Sequence, residues 1–318
     1  MTEPYLELEE EFAKFAGYPK ENMVLCSSGT SALHLALEAM QLPTNSTVVV
    51  PELTMIACPR AVSLARLKPI FWDCYDDLLV DILRFPTVNS FQAVMPVHIY
   101  GRKCDMVSVV VWAKENKAKI VEDLAEAHGV KPHPLTDAAC YSFYRNKIIA
   151  GEEGGAVAFK DVEHAKLARQ LRSMGFTDKH DFLHVPFGHN YRMSNAHASL
   201  ILPSLRNFEE NTVKRRQVES WYNETVPENW HMPPRDAVWV YDVRVPENVN
   251  TTELVGRLNS QKIAARLCFK PMSMQAEFYN VYYKTTNAYR LSNRVIYLPV
   301  SPAMTKDDVK NIVEKLLD

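Results

Sequence analysis

The chain has 318 residues, of which 47% are hydrophobic and 23% are charged, which is ordinary for a globular protein of about two domains. A net charge of −2 argues against a nucleic-acid partner, and no apolar run approaches the roughly 20 residues that a membrane span needs. The six cysteines show no CxxC spacing, and the acidic N-terminus does not resemble a signal peptide. We therefore expect reduced core cysteines, a cytoplasmic location and no membrane partner.

The first half of the chain alternates short β-branched runs with stretches of helical periodicity. The predicted strands cover residues 47–50, 69–72, 93–97 and 119–122, and the predicted helices cover 31–40 and 106–116. Such alternation is typical of a mostly parallel sheet covered by helices.

The second half begins with two closely spaced strands and continues with longer helices. Strands are predicted at 139–144, 156–159 and 238–245, and helices at 161–174, 195–221, 252–260 and 305–317. Prolines punctuate the chain at Pro227 and at Pro233-Pro234, which favours a passage between domains. We predict a large domain over residues 1–222 and a smaller one over 223–318.

The turn between the two closely spaced strands carries Lys147, just before a glycine-rich reversal. A lysine in a turn directly after a buried strand has a fixed position, and an amine in a fixed position can form a Schiff base with an aldehyde. Asp123 ends another apolar strand. Since ligands of open α/β sheets bind outside the carboxyl ends of strands, both side chains can face one crevice. A lysine and an aspartate in these places are the two groups that a pyridoxal phosphate enzyme needs.

A turn of small residues, 27–32, directly precedes the first long predicted helix. Exposed backbone amides at the positive end of a helix suit a phosphate, and the hydroxyl groups add hydrogen-bond donors. The same pattern also suits an ordinary helix cap. Neither a GxGxxG nor a GxxxxGK[ST] motif is present, so the fingerprints of dinucleotide and P-loop sites are missing.

Six segments occur in the order known from one protein family, at residues 27–37, 48–57, 93–101, 121–129, 141–157 and 188–198. Together they resemble the DegT/DnrJ/EryC1/StrS family of pyridoxal phosphate-dependent sugar aminotransferases, and most of all its branch of GDP-perosamine synthases and viosamine-type enzymes, which make 4-amino sugars. The resemblance runs from about residue 20 to the C-terminus. It implies the fold of aspartate aminotransferase (pyridoxal phosphate fold type I): a large domain with a mixed, mostly parallel sheet, then a smaller C-terminal α/β domain.

The resemblance also implies a ping-pong transamination. L-glutamate would be the amino donor, a nucleotide-linked 4-keto-6-deoxyhexose the acceptor, and a 4-amino sugar and 2-oxoglutarate the products. Lys147 matches the Schiff-base lysine, and Asp123 matches the acid that pairs with the pyridinium nitrogen. Glu126 stands where most relatives place a glutamine against the ring hydroxyl of the cofactor. Met55 stands where relatives commonly place an aromatic residue that stacks on the cofactor ring.

Other matched positions concern the phosphate and the partner subunit. Gly29 and Thr30 match the phosphate-binding turn, and Ser142 matches a serine that reaches the same phosphate. Asn190 resembles the asparagine that enters the active site of the neighbouring subunit. The resemblance therefore implies a homodimer in which two chains build each active site.

Some positions bear on the substrate. His184 precedes the motif that contains Asn190, and the resemblance gives it a place near the sugar. Arg266 resembles part of a segment that closes over the site. His98 matches a family motif at a strand end, where a satisfied core histidine is the favoured interpretation. The chain looks shorter than its relatives around residues 85–92 and 130–136, where substrate-covering loops would lie.

Two alternatives to this function stay open. The acceptor could be a 3-keto sugar, an inosose or another keto compound. The chain could also be a non-catalytic regulator with the same fold, although intact Lys147, Asp123, Gly29 and Thr30 argue against that interpretation.

The histidines at 180, 184 and 189 raise the question of a metal site. They lie in a segment that contains proline and glycine and no clustered acids. We therefore expect no metal.

Overall fold

The computed structural model describes residues 3–82, 91–177, 182–279 and 286–318. The helices in these ranges are α1 Pro4–Ala16, α2 Gly29–Ala39, α3 Ala57–Leu64, α4 Met106–Glu115, α5 Val162–Arg172, α6 Asn195–Arg206, α7 Phe208–Thr225, α8 Thr251–Ser260, α9 Thr286–Ser292 and α10 Lys306–Leu317. The strands are β1 Met23–Cys26, β2 Thr47–Pro51, β3 Lys68–Trp72, β4 Ala93–Val94, β5 Lys119–Asp123, β6 Ala138–Ser142, β7 Gly155–Phe159, β8 Tyr241–Arg244, β9 Arg266–Leu267 and β10 Val295–Leu298.

Seven strands form one sheet in the order β1-β7-β6-β5-β4-β2-β3. Strand β7 is antiparallel to both of its neighbours, and all other neighbouring pairs are parallel. Every residue of β6 and β7 is buried, as expected for strands covered by helices on both faces. The predicted fold, a mixed and mostly parallel sheet in an α/β protein, is confirmed.

A second sheet is formed by β8, β10 and β9, all antiparallel. It packs with α7, α8 and α10 around a separate apolar core that includes Tyr222, Leu258 and Val309. The predicted domain boundary after residue 222 lies inside α7, which contributes Val218 and Tyr222 to this second core. The domain limits remain a prediction.

The strand directions place several chain segments at one edge of the large sheet. Strands β1, β2, β5 and β6 run parallel to one another, so their carboxyl ends lie at the same edge. Asp123 and Ser142 are the last residues of β5 and β6, and α2 begins three residues after β1. Ser28 caps α2, because its hydroxyl accepts a hydrogen bond from the backbone N–H of Ser31.

The single helix predicted over 195–221 is wrong, because the chain forms two helices that meet at Asn207. Directly after the break, Phe208 lies in the core, and its ring is edge-on to that of Phe15 with centroids 4.8 Å apart. Gly129 makes room for this ring, since a Cβ there would come within 2.7 Å of Phe208 Cζ. Tertiary packing thus overrides helical periodicity at this point.

Two predicted strands are shorter than expected. The strand predicted over 93–97 ends at Val94, because Pro96 has no N–H for the ladder, and only an isolated bridge joins Val97 to Asp123. The strand predicted over 238–245 begins only at Tyr241. The carbonyl groups of residues 238 and 239 accept hydrogen bonds from Arg215 Nη1 at 3.4 and 3.2 Å instead of pairing with a strand.

Candidate active site

A cavity of about 420 Å³ opens at this edge of the large sheet. Its volume lies in the range of small-molecule sites. Seven of the residues singled out from the sequence line it: Gly29, Thr30, Met55, Asp123, Glu126, Ser142 and Lys147. The fold thus brings together residues that are more than 110 positions apart in the sequence.

Lys147 lies in a hydrogen-bonded turn that holds its amine in the cavity. Its backbone N–H donates to the carbonyl of Tyr144 at 2.8 Å, and Phe143 exchanges backbone hydrogen bonds of 2.8 Å with Gly151 and Gly154. Only 12% of the lysine side chain is exposed. Nζ lies 3.7 Å from Glu126 Oε1 and 4.1 Å from the ring centroid of Trp239. The amine is therefore confined between a carboxylate and an aromatic face.

Asp123 presents a buried carboxylate whose two oxygens both accept hydrogen bonds. Oδ1 accepts from the backbone N–H of Ala125 at 2.9 Å, and Oδ2 accepts from the Cys58 thiol at 3.1 Å. Burial and the neighbouring Asp123 raise the pKa of the Cys58 thiol well above its usual range, so the thiol keeps its proton and acts as the donor. The orientation of the carboxylate is thereby held by two neighbours.

Glu126 lies between Lys147 and the backbone. Its Oε2 accepts a hydrogen bond from the N–H of Tyr100 at 2.8 Å, and its Oε1 faces the lysine amine. Burial raises the pKa of Glu126 to about 7, although the charge of Lys147 and the Tyr100 hydrogen bond oppose that rise. The carboxyl group can therefore take up or release a proton close to neutral pH.

The N-terminus of α2 lies against the end of β6 and forms a cradle of backbone amides and hydroxyl groups. A Cβ atom on Gly29 would come within 2.8 Å of Ser142 Cβ, so only glycine allows this approach. Gly155 likewise allows a close approach of the backbone, since a Cβ there would lie 2.2 Å from the carbonyl oxygen of Ser28. The first amides of a helix and adjacent hydroxyl groups are suited to a phosphate.

We predict that Gly29→Ala weakens the binding of pyridoxal phosphate by at least about tenfold, because the new methyl group pushes α2 away from Ser142 and opens the cradle. Absorbance titration of the cofactor-free protein measures the dissociation constant. Gly256→Ala is the matched control, since a Cβ on this residue of α8 meets nothing within 4 Å. Equal affinity of the Gly29→Ala variant and the control would contradict a phosphate role for this turn.

The remaining predicted site residues lie outside the cavity of their own chain. Asn190 is exposed, and so is His184, whose Nδ1 lies 2.9 Å from the carbonyl oxygen of Met174. Arg266 is exposed on β9, paired in register with Tyr297, which lines the cavity. His180 and residues 85–90 lie outside the described residues. The roles of these residues stay predictions.

Several cavity residues were missed by sequence reasoning. Trp239, Phe269 and Tyr297 reach the cavity from the C-terminal third of the chain, and Trp239 Nε1 donates a hydrogen bond of 2.7 Å to the carbonyl of Asn146. The alternating pattern around Trp239 indicated only a strand. The contact of Cys58 with Asp123 also had no local sequence signal.

Two minor predictions are confirmed. His98 is a buried, satisfied histidine: its Nδ1 accepts from the N–H of Cys104 at 3.0 Å, so Nε2 donates to Glu122, also at 3.0 Å. All six cysteines are free and buried.

Among the described residues, none of the helices combines the length and the apolar character needed to cross a membrane.

Pyridoxal phosphate has an aldehyde, a pyridine nitrogen and a phosphate, and a site that binds it needs a partner for each of these groups. One cavity offers a confined amine at Lys147, an oriented buried carboxylate at Asp123 and the cradle at Gly29 and Ser142. The donor set and the fold fit this cofactor. Together they define a pyridoxal phosphate-dependent enzyme of the aspartate aminotransferase type.

Comparison with known proteins gives the family. Residues 3–317 match the DegT/DnrJ/EryC1/StrS aminotransferase family, and the chain belongs to it. The chain is thus a pyridoxal phosphate-dependent aminotransferase.

Similar proteins include the GDP-perosamine synthase of Caulobacter vibrioides, which is 30% identical over 98% of this chain and 88% of its own length. The dTDP-3-amino-3,6-dideoxy-α-D-galactopyranose transaminase of Aneurinibacillus thermoaerophilus is 27% identical over 97% of this chain and 88% of its own. The solved structure of the aminotransferase PseC of Helicobacter pylori superposes with a TM-score of 0.91 at 20% identity, covering 100% of this chain and 91% of that one. This last likeness concerns the fold.

Proposed function

We propose that this enzyme transfers the amino group of L-glutamate to a nucleotide-linked 4-keto-6-deoxyhexose, which gives a 4-amino sugar and 2-oxoglutarate. The observation that carries the chemistry is the convergence of Lys147, Asp123 and the Gly29 cradle on one cavity. The relationship to GDP-perosamine synthase, together with the family resemblance, supports the 4-keto acceptor. A cytoplasmic location fits the six free cysteines.

In this proposal each cavity residue has a defined task. When bound, pyridoxal phosphate supplies an aldehyde that forms Schiff bases with amines and a pyridinium ring that withdraws electrons. Lys147 holds the cofactor and, once released, moves a proton from the α-carbon of the amino donor. Asp123 would keep the ring nitrogen protonated by accepting its hydrogen bond.

The other assigned residues would position the cofactor. Gly29, Thr30 and Ser142 would bind its phosphate, Glu126 would contact its ring hydroxyl, and Met55 would cover one face of the ring. Methionine can do this with a polarizable thioether, although its geometry is less constrained than that of an aromatic ring. His184 and Arg266 are assigned to the sugar nucleotide, as the family resemblance suggests.

The position of amination requires a direct test, because the relatives include a 3-amino sugar transaminase. The purified protein with pyridoxal phosphate is first mixed with L-glutamate alone. Loss of the visible absorption band and release of 2-oxoglutarate would support glutamate as the donor. An unchanged band would exclude it.

The glutamate-treated enzyme is then supplied with 4-keto-6-deoxy sugars linked to GDP, dTDP or UDP, and with 3-keto sugars linked to the same nucleotides. We expect kcat/KM to be at least about tenfold higher for a 4-keto acceptor, since a misplaced reacting carbon loses alignment. A preference for 3-keto sugars would overturn the assignment of position and leave the aminotransferase class intact. Failure of every acceptor after a successful glutamate step would favour a different keto compound.

We also propose a homodimer in which Asn190 completes the site of the partner. The segment before Asn190 exposes large apolar side chains, between 61% and 80% exposed, at Phe182, Leu183, Val185 and Phe187. An apolar group of this kind on a surface is typical of a protein interface. A second copy of the chain is the occupant we infer, because the family resemblance places Asn190 in a neighbouring site.

Mixing two inactive variants tests the shared site. Lys147→Ala and Asn190→Ala chains are each expected to be impaired. After the two are unfolded and refolded together, mixed dimers contain one site with both native residues, so we expect about a quarter of wild-type activity. Kinetic assay of the mixture against each variant refolded alone measures this recovery. Activity no greater than the average of the two variants would contradict sharing.

A further inference from the structure

A second cluster of polar side chains lies outside the cavity, where α2 packs against the segment that precedes α6. His34 and Glu38 are four residues apart on α2 and so share one face of the helix. His189 reaches the same place from residues 188–193. His189 Nε2 lies 2.7 Å from Glu38 Oε2, and His34 Nε2 lies 3.5 Å from Glu38 Oε1. One nitrogen or oxygen atom from each residue falls within 4.8 Å of the other two.

His34 is the informative member of this cluster. Its side chain is only 2% exposed, and its Nε2 makes no hydrogen bond within the part of the chain that the structure describes. Its Nδ1 lies 3.2 Å from the hydroxyl of Tyr191. If Nδ1 carries the proton and donates to Tyr191, Nε2 presents a lone pair toward the Glu38 carboxylate. A buried lone pair facing an anion is unfavourable, and a cation between the two removes the conflict.

We propose that His34, Glu38 and His189 bind one divalent transition-metal ion of the zinc type. Two imidazole nitrogens and one carboxylate are a known donor set for zinc. Bonds of about 2.1 Å in tetrahedral geometry place ligand atoms roughly 3.4 Å apart. The 3.5 Å between His34 Nε2 and Glu38 Oε1 is close to that value. The 2.7 Å between His189 Nε2 and Glu38 Oε2 is a hydrogen-bond distance, which has to lengthen when a metal ion takes the place of the shared proton. Magnesium and calcium are disfavoured, because both prefer oxygen ligands.

Three features of the surroundings suit such an ion. With metal bound at Nε2, the Nδ1 hydrogen of His34 has the Tyr191 hydroxyl as its acceptor, 3.2 Å away. The ring of Tyr191 also stacks on His189, with centroids 4.8 Å apart and planes 17° from parallel. Glu38 and His189 are partly exposed, so water can reach the fourth coordination position.

The site would tie residues 188–193 to α2. Asn190 lies within this segment, directly after His189. The prediction of no metal rested on the histidines at 180, 184 and 189, which are close together in the sequence and have no clustered acids beside them. The acid of this cluster comes from Glu38, which is 151 residues from His189. The metal proposal goes beyond the aminotransferase activity and does not depend on which sugar is the substrate.

The test measures zinc uptake by the full-length protein loaded with pyridoxal phosphate. The protein is stripped with a chelator, dialysed, and titrated with zinc chloride in competition with a chromogenic chelator. We expect about one zinc ion per chain and a higher melting temperature with zinc present. Glu38→Gln and His189→Gln should each weaken zinc binding by at least about tenfold and remove the thermal shift.

His197→Gln is the matched control, since this histidine lies at the start of α6, outside the cluster, and its Nδ1 contacts Ser194 Oγ at 3.0 Å. It should bind zinc as the wild type does. Cobalt in place of zinc should give the visible spectrum of a tetrahedral ion in the wild type and the control only. The proposal is overturned if the wild type takes up no zinc, or if it binds zinc no more tightly than Glu38→Gln. It is also overturned if the control loses as much affinity as the other variants.

Discussion

Lys147→Ala is expected to lower kcat by at least about 1000-fold, because the variant has no amine to hold the cofactor or to move the proton of the amino donor. The loss should appear in the release of 2-oxoglutarate from L-glutamate and in the full reaction alike. The visible absorption band of the protein-bound cofactor should also be absent. Stopped assays of 2-oxoglutarate at saturating pyridoxal phosphate provide the measurement.

The fold should survive this substitution. The ion pair that is lost spans 3.7 Å, and Glu126, whose pKa is already raised to about 7, can bind a proton once the lysine charge is gone. Lys166→Ala is the matched control, since Lys166 is an exposed lysine of α5 that pairs with Glu163 on the same helix. It should retain full activity. A rate for Lys147→Ala within tenfold of wild type would refute the assignment.

Asp123→Asn is the second substitution with a large expected effect, a loss in kcat of about 1000-fold or more. Asparagine keeps the shape of the side chain but carries no negative charge, so the ring nitrogen of the cofactor would lose its anionic partner. The hydrogen bond from Ala125 can be kept by the amide oxygen, whereas the amide nitrogen would face the Cys58 thiol. Steady-state kinetics at saturating cofactor separate this loss from weaker cofactor binding.

Asp161→Asn provides the control for the loss of one aspartate charge. Asp161 caps α5 by accepting a hydrogen bond of 2.9 Å from the N–H of Glu163, and asparagine caps a helix equally well. We expect its rate to stay within about twofold of wild type. If Asp123→Asn loses less than tenfold, the carboxylate does not act on the cofactor ring as proposed.

The type of fold, which the resemblance implied, is confirmed, and Lys147, Asp123 and Gly29, which local patterns singled out, line one cavity. A lysine between two short strands and a small-residue turn before a helix are patterns of a few neighbouring residues. The alternation of β-branched runs with helical stretches predicted a mostly parallel sheet, and the resemblance implied that this sheet is mixed. Lys147, Asp123 and Gly29 meet at one edge because parallel strands end there together.

Contacts between distant residues could not be predicted in this way. At the helix break at Asn207, the Phe208 ring packs into the space beside Gly129, a residue about 80 positions away that has no side chain to fill it. Trp239 is not part of the predicted strand, because its carbonyl group accepts a hydrogen bond from Arg215 instead of pairing with a strand. The Trp239 ring lies over Lys147. Neither the helix break nor the position of Trp239 can be predicted from a short stretch of neighbouring residues.

By itself, the sequence indicated the alternation of strands and helices in the first half of the chain and a mostly parallel sheet, and the resemblance implied the residues that are predicted to hold the cofactor. Periodicity and motif order are properties of adjacent residues. Only the tertiary structure decided which aromatic ring covers the lysine, which thiol orients Asp123 and that Glu38 lies between His34 and His189. These pairings depend on how the elements pack, and packing brings together side chains that the sequence keeps far apart.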